Sequence, residues 1–300
     1  MFSQILGHPQ IVNRLCKAIH NPGHAYVLVG EKGLGKLALA RAFTKSLQCE
    51  ANKQDGDSCG VCLSCRVFES DNHPDVLYVQ ATKTKIIGVE DVRTQILLPM
   101  SEKPFRYPYK IFIVNQVLTT QAQSALLKTI EEPAPFGIFL FLTEHTRLFL
   151  STLLSRCVTF KLNPMSDEDV AKIVSKKTSD PAVIFAQGNP GRAKALIESK
   201  DFEEMQNLAF SVASNIYDMD IVEIFRLCAK FEKWKESIQT LLNMLYMHYR
   251  ERLNKPASQP CVHTILSGLE AITKVKRNLS QNGHFQMNIE TMLLKLSRIA

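Results

Sequence analysis

A short apolar segment, a glycine-rich loop and a helix-forming segment follow one another near the start of this 300-residue chain and restrict its fold most. The apolar segment is Ala25–Val29, the loop covers residues 30–36, and the helix pattern continues over 37–48. Glycines and a lysine between a strand and a helix are typical of a phosphate-binding loop, whose backbone amides face an anion. The residues that would bind a nucleotide here are Gly30, Gly33, Gly35 and Lys36.

Three positions that normally serve magnesium chemistry are changed. Leu37 stands where such a loop carries Ser or Thr, and leucine offers no oxygen to a hard cation. Asn115 and Gln116 follow an apolar strand where a working ATPase has two acids, one supporting magnesium and one orienting the attacking water. We therefore predict an ATPase fold whose own hydrolytic site is disabled, and we expect no tight binding of magnesium nucleotide.

Apolar runs alternate with amphipathic segments as far as residue 162, a pattern that predicts an α/β domain with a parallel sheet. The predicted strands are 25–29, 76–80, 110–114, 138–142 and 158–162, and the predicted helices include 37–48, 89–98 and 120–130. Beyond residue 162 only helical patterns follow, beginning with a cap and acids at Ser166. We predict three domains: an ATPase-like domain at 1–162, a small helical lid at 163–205 and a helical oligomerisation domain at 206–300.

Four cysteines have the spacing of a metal site. Cys59, Cys62 and Cys65 are separated by two residues each, and Cys49 lies upstream of Cys59 with nine residues between them. Four thiolates suit tetrahedral zinc in a structural role, since nothing suggests an open coordination position. A disulfide pair or four free thiols are the alternatives, and His73 could replace one ligand.

Composition and charge limit the functions and the cellular locations expected of the chain. With 45% hydrophobic residues the chain can bury sizeable cores, and the formal charge of +7 is compatible with nucleic-acid work without establishing it. We expect no membrane span and no signal peptide, because no long uncharged apolar run exists and the first residues lack a basic-then-apolar layout. A reducing, cytoplasmic location is expected.

Two polar positions at strand ends are further candidates. Arg156 precedes the last predicted strand, where its guanidinium can present itself to a phosphate held by another protein, although a single arginine is more often a solvated surface group. Thr143 ends a strand where it could sense a γ-phosphate, or it is simply a strand-end residue.

The chain resembles the clamp-loader subunits of the AAA+ class, in particular the delta-prime family of bacterial DNA polymerase III. The resemblance rests on the loop 30–36, the inserted cysteine quartet and three further motifs, and it covers roughly residues 1–200. Those motifs are Ala125-Leu126-Leu127-Lys128-Thr129-Ile130-Glu131-Glu132-Pro133, Ser155-Arg156-Cys157 and Gly188-Asn189-Pro190-Gly191-Arg192-Ala193.

The resemblance implies a hetero-oligomeric ring that opens a sliding clamp and places it on primed DNA, with zinc in the N-terminal domain and a helical collar. It assigns Arg156 the role of an arginine finger that acts in trans on ATP bound by a neighbouring subunit. Motor subunits of this family have a nucleotide-sensing arginine in the lid, but that slot here is Gly191, and Arg192 is displaced by one.

Two alternatives remain on the sequence alone. A self-contained DNA-dependent ATPase, or an ATP-hydrolysing motor subunit of the same loader, would need substitute magnesium ligands such as Glu131, Glu132 or Glu144. A pure interaction scaffold would leave the phosphate loop unused.

Overall fold

The structure is a computed structural model that describes Phe2 and residues 5–51, 56–253 and 262–297. The chain divides into two compact units, Met1–Lys194 and Ala195–Ala300. The first unit combines a sheet with helices, and the second is helical in its described part. The finer division into three domains stays a prediction.

The first unit is built on a five-stranded parallel sheet whose strand order is β2-β3-β4-β1-β5. The strands are β1 Ala25–Val29, β2 Val76–Val79, β3 Lys110–Val114, β4 Gly137–Thr143 and β5 Val158–Lys161. Parallel strands all end at the same edge of the sheet, so the residues that follow β1, β3 and β4 are neighbours. This sheet and its helices confirm the predicted α/β fold with a parallel sheet.

Helices cover both faces of this sheet. Alternate residues of β1 supply the two cores: Leu28 packs with Phe43 and Phe160, and Val27 packs with Phe112 on the other face. The helices of the first unit are α1 Pro9–Ala18, α2 Lys36–Gln48, α3 Leu63–Glu69, α4 Val89–Val92, α5 Leu98–Met100, α6 Thr120–Glu131, α7 Ser151–Leu154, α8 Asp167–Val174, α9 Pro181–Ala186 and α10 Pro190–Glu198, which runs four residues into the second unit.

Two local predictions about helices have different outcomes. The hydroxyl of Ser166 accepts a hydrogen bond from the backbone N–H of Asp169 and caps α8, as its sequence predicts. The helix predicted at 89–98 is helical but not uniform, because a π-helical turn at Arg93–Leu97 separates α4 from α5. Hydrophobic periodicity does not reveal a single π turn, which shifts the helix phase by only one residue.

The second unit buries its own apolar core, which includes Phe231, Leu245 and Ile272. Its helices are α11 Phe202–Asn215, α12 Ile221–Glu232, α13 Ile238–Leu253, α14 Val262–Ser280 and α15 Phe285–Ser297. The predicted helical character of the C-terminal part is confirmed. Within the described ranges, no helix combines the length and the apolar character that crossing a membrane requires.

Candidate functional site

The glycine-rich loop lies between β1 and α2, and its glycines are required by backbone geometry. Gly33 and Gly35 have φ angles of 95° and 90°, a left-handed region that side chains disfavour. Lys36 is the first residue of α2, and its Nζ donates to the carbonyls of Gly30 at 2.6 Å and Glu31 at 2.8 Å. An ammonium has three N–H groups, so one remains free to meet a ligand.

The Lys36 ammonium lies in a half-buried position. Burial lowers its pKa from the ordinary value, while the charges of Glu144 and Glu31 act in the opposite direction. Neither carboxylate forms a direct ion pair with Lys36 among the described residues. The cation is therefore only partly compensated by the protein.

A cavity of about 710 Å³ opens beside Lys36 at the carboxyl edge of the sheet. The structure brings Asn115 and Gln116 from the end of β3 into its wall, as their places in the sequence predict. Lining residues that bear on its chemistry are Lys32, Lys36, Lys85, Asn115, Gln116, Thr143, Glu144 and His145. The lysines outnumber the single acid in this wall.

Leu37, Asn115 and Gln116 occupy the positions at which a working ATPase binds magnesium or orients water, and none of them is an acid. Leu37 leaves 39% of its surface exposed beside the loop, and the Gln116 side-chain oxygen accepts a hydrogen bond from the Ala81 backbone at 2.8 Å. The Thr143 hydroxyl donates to the carbonyl of His145 at 3.1 Å, so it is engaged in its own turn. A magnesium ion bound to a nucleotide finds no hydroxyl at position 37 and no carboxylate after β3, and the residues present do not fit it.

The start of α10 packs directly on the phosphate loop. The buried Asn189 side chain donates to the carbonyl of Lys32 at 2.9 Å, and the Gly191 backbone N–H donates to the carbonyl of Gly33 at 3.1 Å. A Cβ on Gly191 would lie 2.5 Å from the Gly33 Cα, closer than real side chains come. Only glycine at position 191 permits this contact between two backbones.

Arg192, which lies in α10 next to Gly191, also contacts the loop. Its guanidinium forms an ion pair of 3.1 Å with Glu31 and donates to the carbonyl of Ala186 at 3.4 Å. It is absent from the wall of the large cavity. Arg192 therefore ties the helix to the outer side of the loop.

Arg156 lies exposed two residues after α7. Its guanidinium donates to the carbonyl of Thr152 at 2.7 Å and forms an ion pair of 2.8 Å with Glu131 at the end of α6. The neighbouring Cys157 is half-buried, and burial raises the pKa of its thiol to about 11, so it stays protonated. Of this motif, Arg156 is thus the residue that presents charge at the surface.

Gln123 is a buried residue that sequence reasoning did not single out. Its amide nitrogen donates to the carbonyls of Leu118 at 3.2 Å and Leu148 at 2.8 Å, and its oxygen accepts from the backbone N–H of Leu150 at 2.7 Å. It thereby fixes the segment that runs from the cavity wall to α7 and Arg156. A glutamine on the apolar face of a predicted helix was the signal available for finding it.

The four predicted metal ligands converge. The sulfur atoms of Cys49, Cys59, Cys62 and Cys65 all lie within 4.8 Å of one another, and two of the pairs are 4.0 Å apart. Tetrahedral zinc with sulfur ligands at 2.3 Å requires a separation of about 3.8 Å. The donor set and its spacing therefore fit such an ion, and the seven cysteines of the described ranges are free of disulfides.

The local environment acts differently on the four thiols. Hydrogen bonds from the backbone N–H groups of Cys62 and Val61 lower the pKa of Cys59 to about 6, which favours its thiolate. Burial raises the pKa of the Cys49 and Cys65 thiols. A cation at the centre would reverse that effect, because a coordinated thiol is deprotonated.

His73, the alternative ligand, is not a member of the cysteine cluster. Its Nε2 is 3.3 Å from the Ser64 hydroxyl, and its ring centroid lies 4.4 Å from that of Tyr107, with the two ring planes tilted by 38°. Burial lowers the pKa of His73, so the ring is neutral near pH 7. The metal-ligand group found in the described ranges contains the four cysteines and not this histidine.

Comparison with known proteins places these features in a family context. The family described as DNA polymerase III, delta subunit matches residues 7–166, which is more than half of the chain. The DNA polymerase III subunit tau/gamma of Haemophilus influenzae is 31% identical over 74% of this chain and 35% of its own length. The DNA polymerase III subunit gamma of Buchnera aphidicola subsp. Acyrthosiphon pisum is 33% identical over 58% and 48%.

The chain spans between about a quarter and a half of the length of the curated relatives that it matches. A crystal structure of a DNA polymerase III gamma subunit-related protein from Thermotoga maritima covers 96% of this chain and 99% of its own. Its TM-score is 0.53 at 17% identity, so it supports the fold alone.

Proposed function

Because the chain belongs to the DNA polymerase III, delta subunit family, we propose that it is a delta-prime-type subunit of the replicative clamp loader. It does not hydrolyse ATP itself and acts as a stator. It supplies Arg156 in trans to ATP bound by a neighbouring subunit while the complex loads the sliding clamp onto primed DNA. The observation that carries this proposal is an exposed Arg156 in a chain whose own loop lacks the oxygens for magnesium.

The chemistry of Arg156 suits that role. A planar guanidinium binds phosphate oxygens with two parallel hydrogen bonds and remains charged at every physiological pH. An arginine finger stabilises the negative charge that develops on the transferred phosphoryl group, an effect of about 10³–10⁵ in rate. When a phosphate of the neighbouring subunit's ATP replaces the Glu131 carboxylate, the Arg156 guanidinium keeps a negatively charged partner.

The chain's own loop takes no part in hydrolysis under this proposal. Leu37, Asn115 and Gln116 provide neither the magnesium ligand nor the acid that orients water. The contact between Gly191 and Gly33 instead gives the loop a structural task, since it holds α10 to the sheet domain. The loop of this chain therefore carries out no hydrolysis.

We also propose that Cys49, Cys59, Cys62 and Cys65 hold one structural zinc ion. When bound, the metal would cross-link the end of α2 to α3 and compensate the charge of the thiolates. All four ligands are supplied by the protein, so no position is left for a substrate. The site thus contributes stability and not catalysis.

The proposed partners are those of the clamp-loader complex. Other loader subunits form the ring through the helical C-terminal domain, and the sliding clamp and primed DNA are met through the complex. A cytoplasmic location belongs to the same proposal.

The second candidate is an ATP-hydrolysing subunit, alone or as a motor of the loader, and the gamma and tau relatives favour considering it. It requires an acid near the loop, and Glu144 in the cavity wall is the acid available there. Glu131 forms an ion pair with Arg156 and is therefore not available as that acid. Hydrolysis by the isolated chain would support this alternative.

Replacement of Arg156 in the assembled loader tests the proposal. We expect Arg156→Ala to leave assembly intact, as judged by gel filtration. ATP hydrolysis at the neighbouring site that Arg156 serves should slow at least about a hundredfold. Arg156→Lys should also be slow, because an ammonium lacks the planar fork. Arg93→Ala is the matched control, because Arg93 is exposed and its one ion pair among the described residues is with Glu90, three residues earlier in the chain.

Two results would contradict the proposal. One is an Arg156→Ala complex that hydrolyses ATP at the wild-type rate. The other is magnesium-dependent hydrolysis by the purified chain without its partners.

A further inference from the structure

Residues 103–107, the Phe105 segment, lie between α5 and β3 and contact groups next to the cysteine cluster. The Phe105 side chain leaves 83% of its surface exposed, the largest fraction among the exposed large hydrophobic side chains of the described ranges. Arg106 forms an ion pair of 3.2 Å with Glu50, the residue that follows the candidate ligand Cys49. The segment therefore meets a side chain that directly adjoins a ligand.

The same carboxylate also reaches the other side of the cluster. Ser64 is buried and comes directly before the candidate ligand Cys65 in the chain. Its backbone N–H donates to Glu50 at 3.4 Å, while the Arg106 guanidinium donates to the other oxygen of that carboxylate. Glu50 thus joins Ser64 to the Phe105 segment.

His73 makes a second connection, and its hydrogen bonds have a fixed direction. The backbone N–H of Asp75 donates to its Nδ1 at 3.3 Å, so Nδ1 is an acceptor and the neutral ring carries its proton on Nε2. Nε2 therefore donates to the Ser64 hydroxyl at 3.3 Å. The ring also packs against Tyr107, so His73 links Ser64 to the Phe105 segment as one defined tautomer.

Metal coordination would hold these groups more tightly than thiol contacts do. Bonds to zinc fix each sulfur to within about 0.2 Å, whereas a thiol is only a weak hydrogen-bond donor. Glu50 and Ser64 each adjoin a ligand, so the ligand positions decide where the Glu50 carboxylate and the Ser64 hydroxyl lie. Loss of metal would loosen both groups. The Phe105 segment would then depend on its backbone hydrogen bonds to the Asp75 carboxylate.

We propose that Glu50 and His73 are positioning residues that couple metal occupancy of the cysteine cluster to the conformation of the Phe105 segment. The inference rests on the proposed zinc site and goes beyond it, because it gives the metal a conformational effect outside its ligand loop. The coupling is reciprocal, so the contacts that order the segment also raise the metal affinity. Metal-bound chain presents Phe105 on a fixed backbone, and metal-free chain presents it on a loosened one.

Limited digestion of the full chain with chymotrypsin tests the coupling. The protease cleaves after aromatic residues but needs a locally opened backbone, so an exposed Phe105 on a fixed backbone is a poor substrate. We expect removal of zinc with a zinc-selective chelator to speed cleavage after Phe105 at least about tenfold, and added zinc to reverse the effect. Cleavage after Phe112, buried in β3, reports general unfolding and should change less.

Two substitutions separate the coupling from zinc binding itself. Glu50→Ala removes the carboxylate between Ser64 and Arg106, and His73→Phe keeps a ring on Tyr107 but removes the donor to Ser64. Cobalt-substituted variants should retain the absorption spectrum of a four-thiolate site. Competition with a chromophoric chelator should show zinc affinity weakened about tenfold.

The decisive quantity is the effect of zinc removal on cleavage after Phe105 in each variant. In Glu50→Ala and in His73→Phe we expect this effect to shrink to no more than about threefold, because each substitution removes one connection. Glu90→Ala is the matched control, since Glu90 is an exposed carboxylate whose ion pair is with Arg93. It should respond to zinc removal as the wild type does.

Three results would overturn the proposal. A zinc-bound wild-type chain that is cleaved after Phe105 at the same rate with and without the metal removes the coupling and leaves the zinc site intact. Glu50→Ala and His73→Phe variants that respond like Glu90→Ala remove the two positioning roles. A purified chain that binds no zinc removes this inference together with the proposed zinc site.

Discussion

The guanidinium of Arg156 lies 2.8 Å from the carboxylate of Glu131, so the end of α6 holds the residue that follows α7. Both side chains are more than a third exposed, and water screens their attraction. The pair therefore orients the arginine at a small energetic cost when another anion replaces the carboxylate.

Glu131→Gln should release Arg156 without unfolding the chain. We expect the free energy of unfolding to fall by less than about 1 kcal/mol, because the pair is exposed. ATP hydrolysis by the assembled loader should rise, by no more than about fivefold, since the pair no longer competes with phosphate. Urea titration and a steady-state ATPase assay measure the two effects.

Glu132→Gln is the control for that experiment, because the neighbouring carboxylate forms no ion pair among the described residues. A Glu131→Gln complex as slow as the Arg156→Ala complex would contradict the competition and make Glu131 a required positioning group.

Gly191→Ala should loosen the contact between α10 and the phosphate loop. The new methyl would lie 2.5 Å from the Gly33 Cα, so one backbone must move. We expect a loss of about 1–3 kcal/mol in the free energy of unfolding and faster proteolysis near residue 190. Gly88→Ala is the control, since its Cβ would meet its nearest neighbour at 3.8 Å and its φ is −93°. Equal stability of the two variants would show that the contact contributes nothing.

Removal of zinc should destabilise the sheet domain. Elemental analysis of the purified chain should give one zinc per molecule, and chelation should lower the melting temperature, because bound metal stabilises only the folded site. Cys65→Ala removes a buried ligand and should abolish zinc binding, while Cys228→Ala, outside the cluster, should retain it. A full zinc content in Cys65→Ala would refute the ligand set.

Asp75→Asn should weaken the loop that follows α5. The buried carboxylate of Asp75 accepts backbone hydrogen bonds from Phe105 at 2.6 Å, Arg106 at 3.1 Å and Tyr107 at 3.2 Å. The asparagine side chain has one oxygen and one NH₂ group, so its NH₂ donor would face a backbone N–H donor. We expect the free energy of unfolding to fall by about 1–3 kcal/mol.

Asp71→Asn is the matched control for this change, because the Asp71 side chain is largely exposed and its one ion pair among the described residues is with Arg41. Denaturant unfolding compares the two variants. An Asp75→Asn chain as stable as the wild type would mean that the three hydrogen bonds have no net effect.

The sequence predicted the strands closely because buried parallel strands are continuous apolar runs. β1 and β3 match their predicted bounds, β2 and β5 are one residue shorter at the C-terminal end, and β4 is one residue longer at each end. The π turn at Arg93–Leu97 was missed, since a single π turn leaves no periodic signal in the sequence.

The sequence alone determined the features that depend on near neighbours in the chain. The loop 30–36 with its positive φ glycines, the cysteine spacing and the amides after β3 are local, because backbone geometry and strand direction fix what a nearby residue faces. Tertiary structure alone decided that Glu131 holds Arg156, that Gly191 touches Gly33 and that Lys85 joins the loop lysines in one cavity. Those residues are far apart in sequence or belong to different elements, so only the packing of the elements on the sheet brings them together.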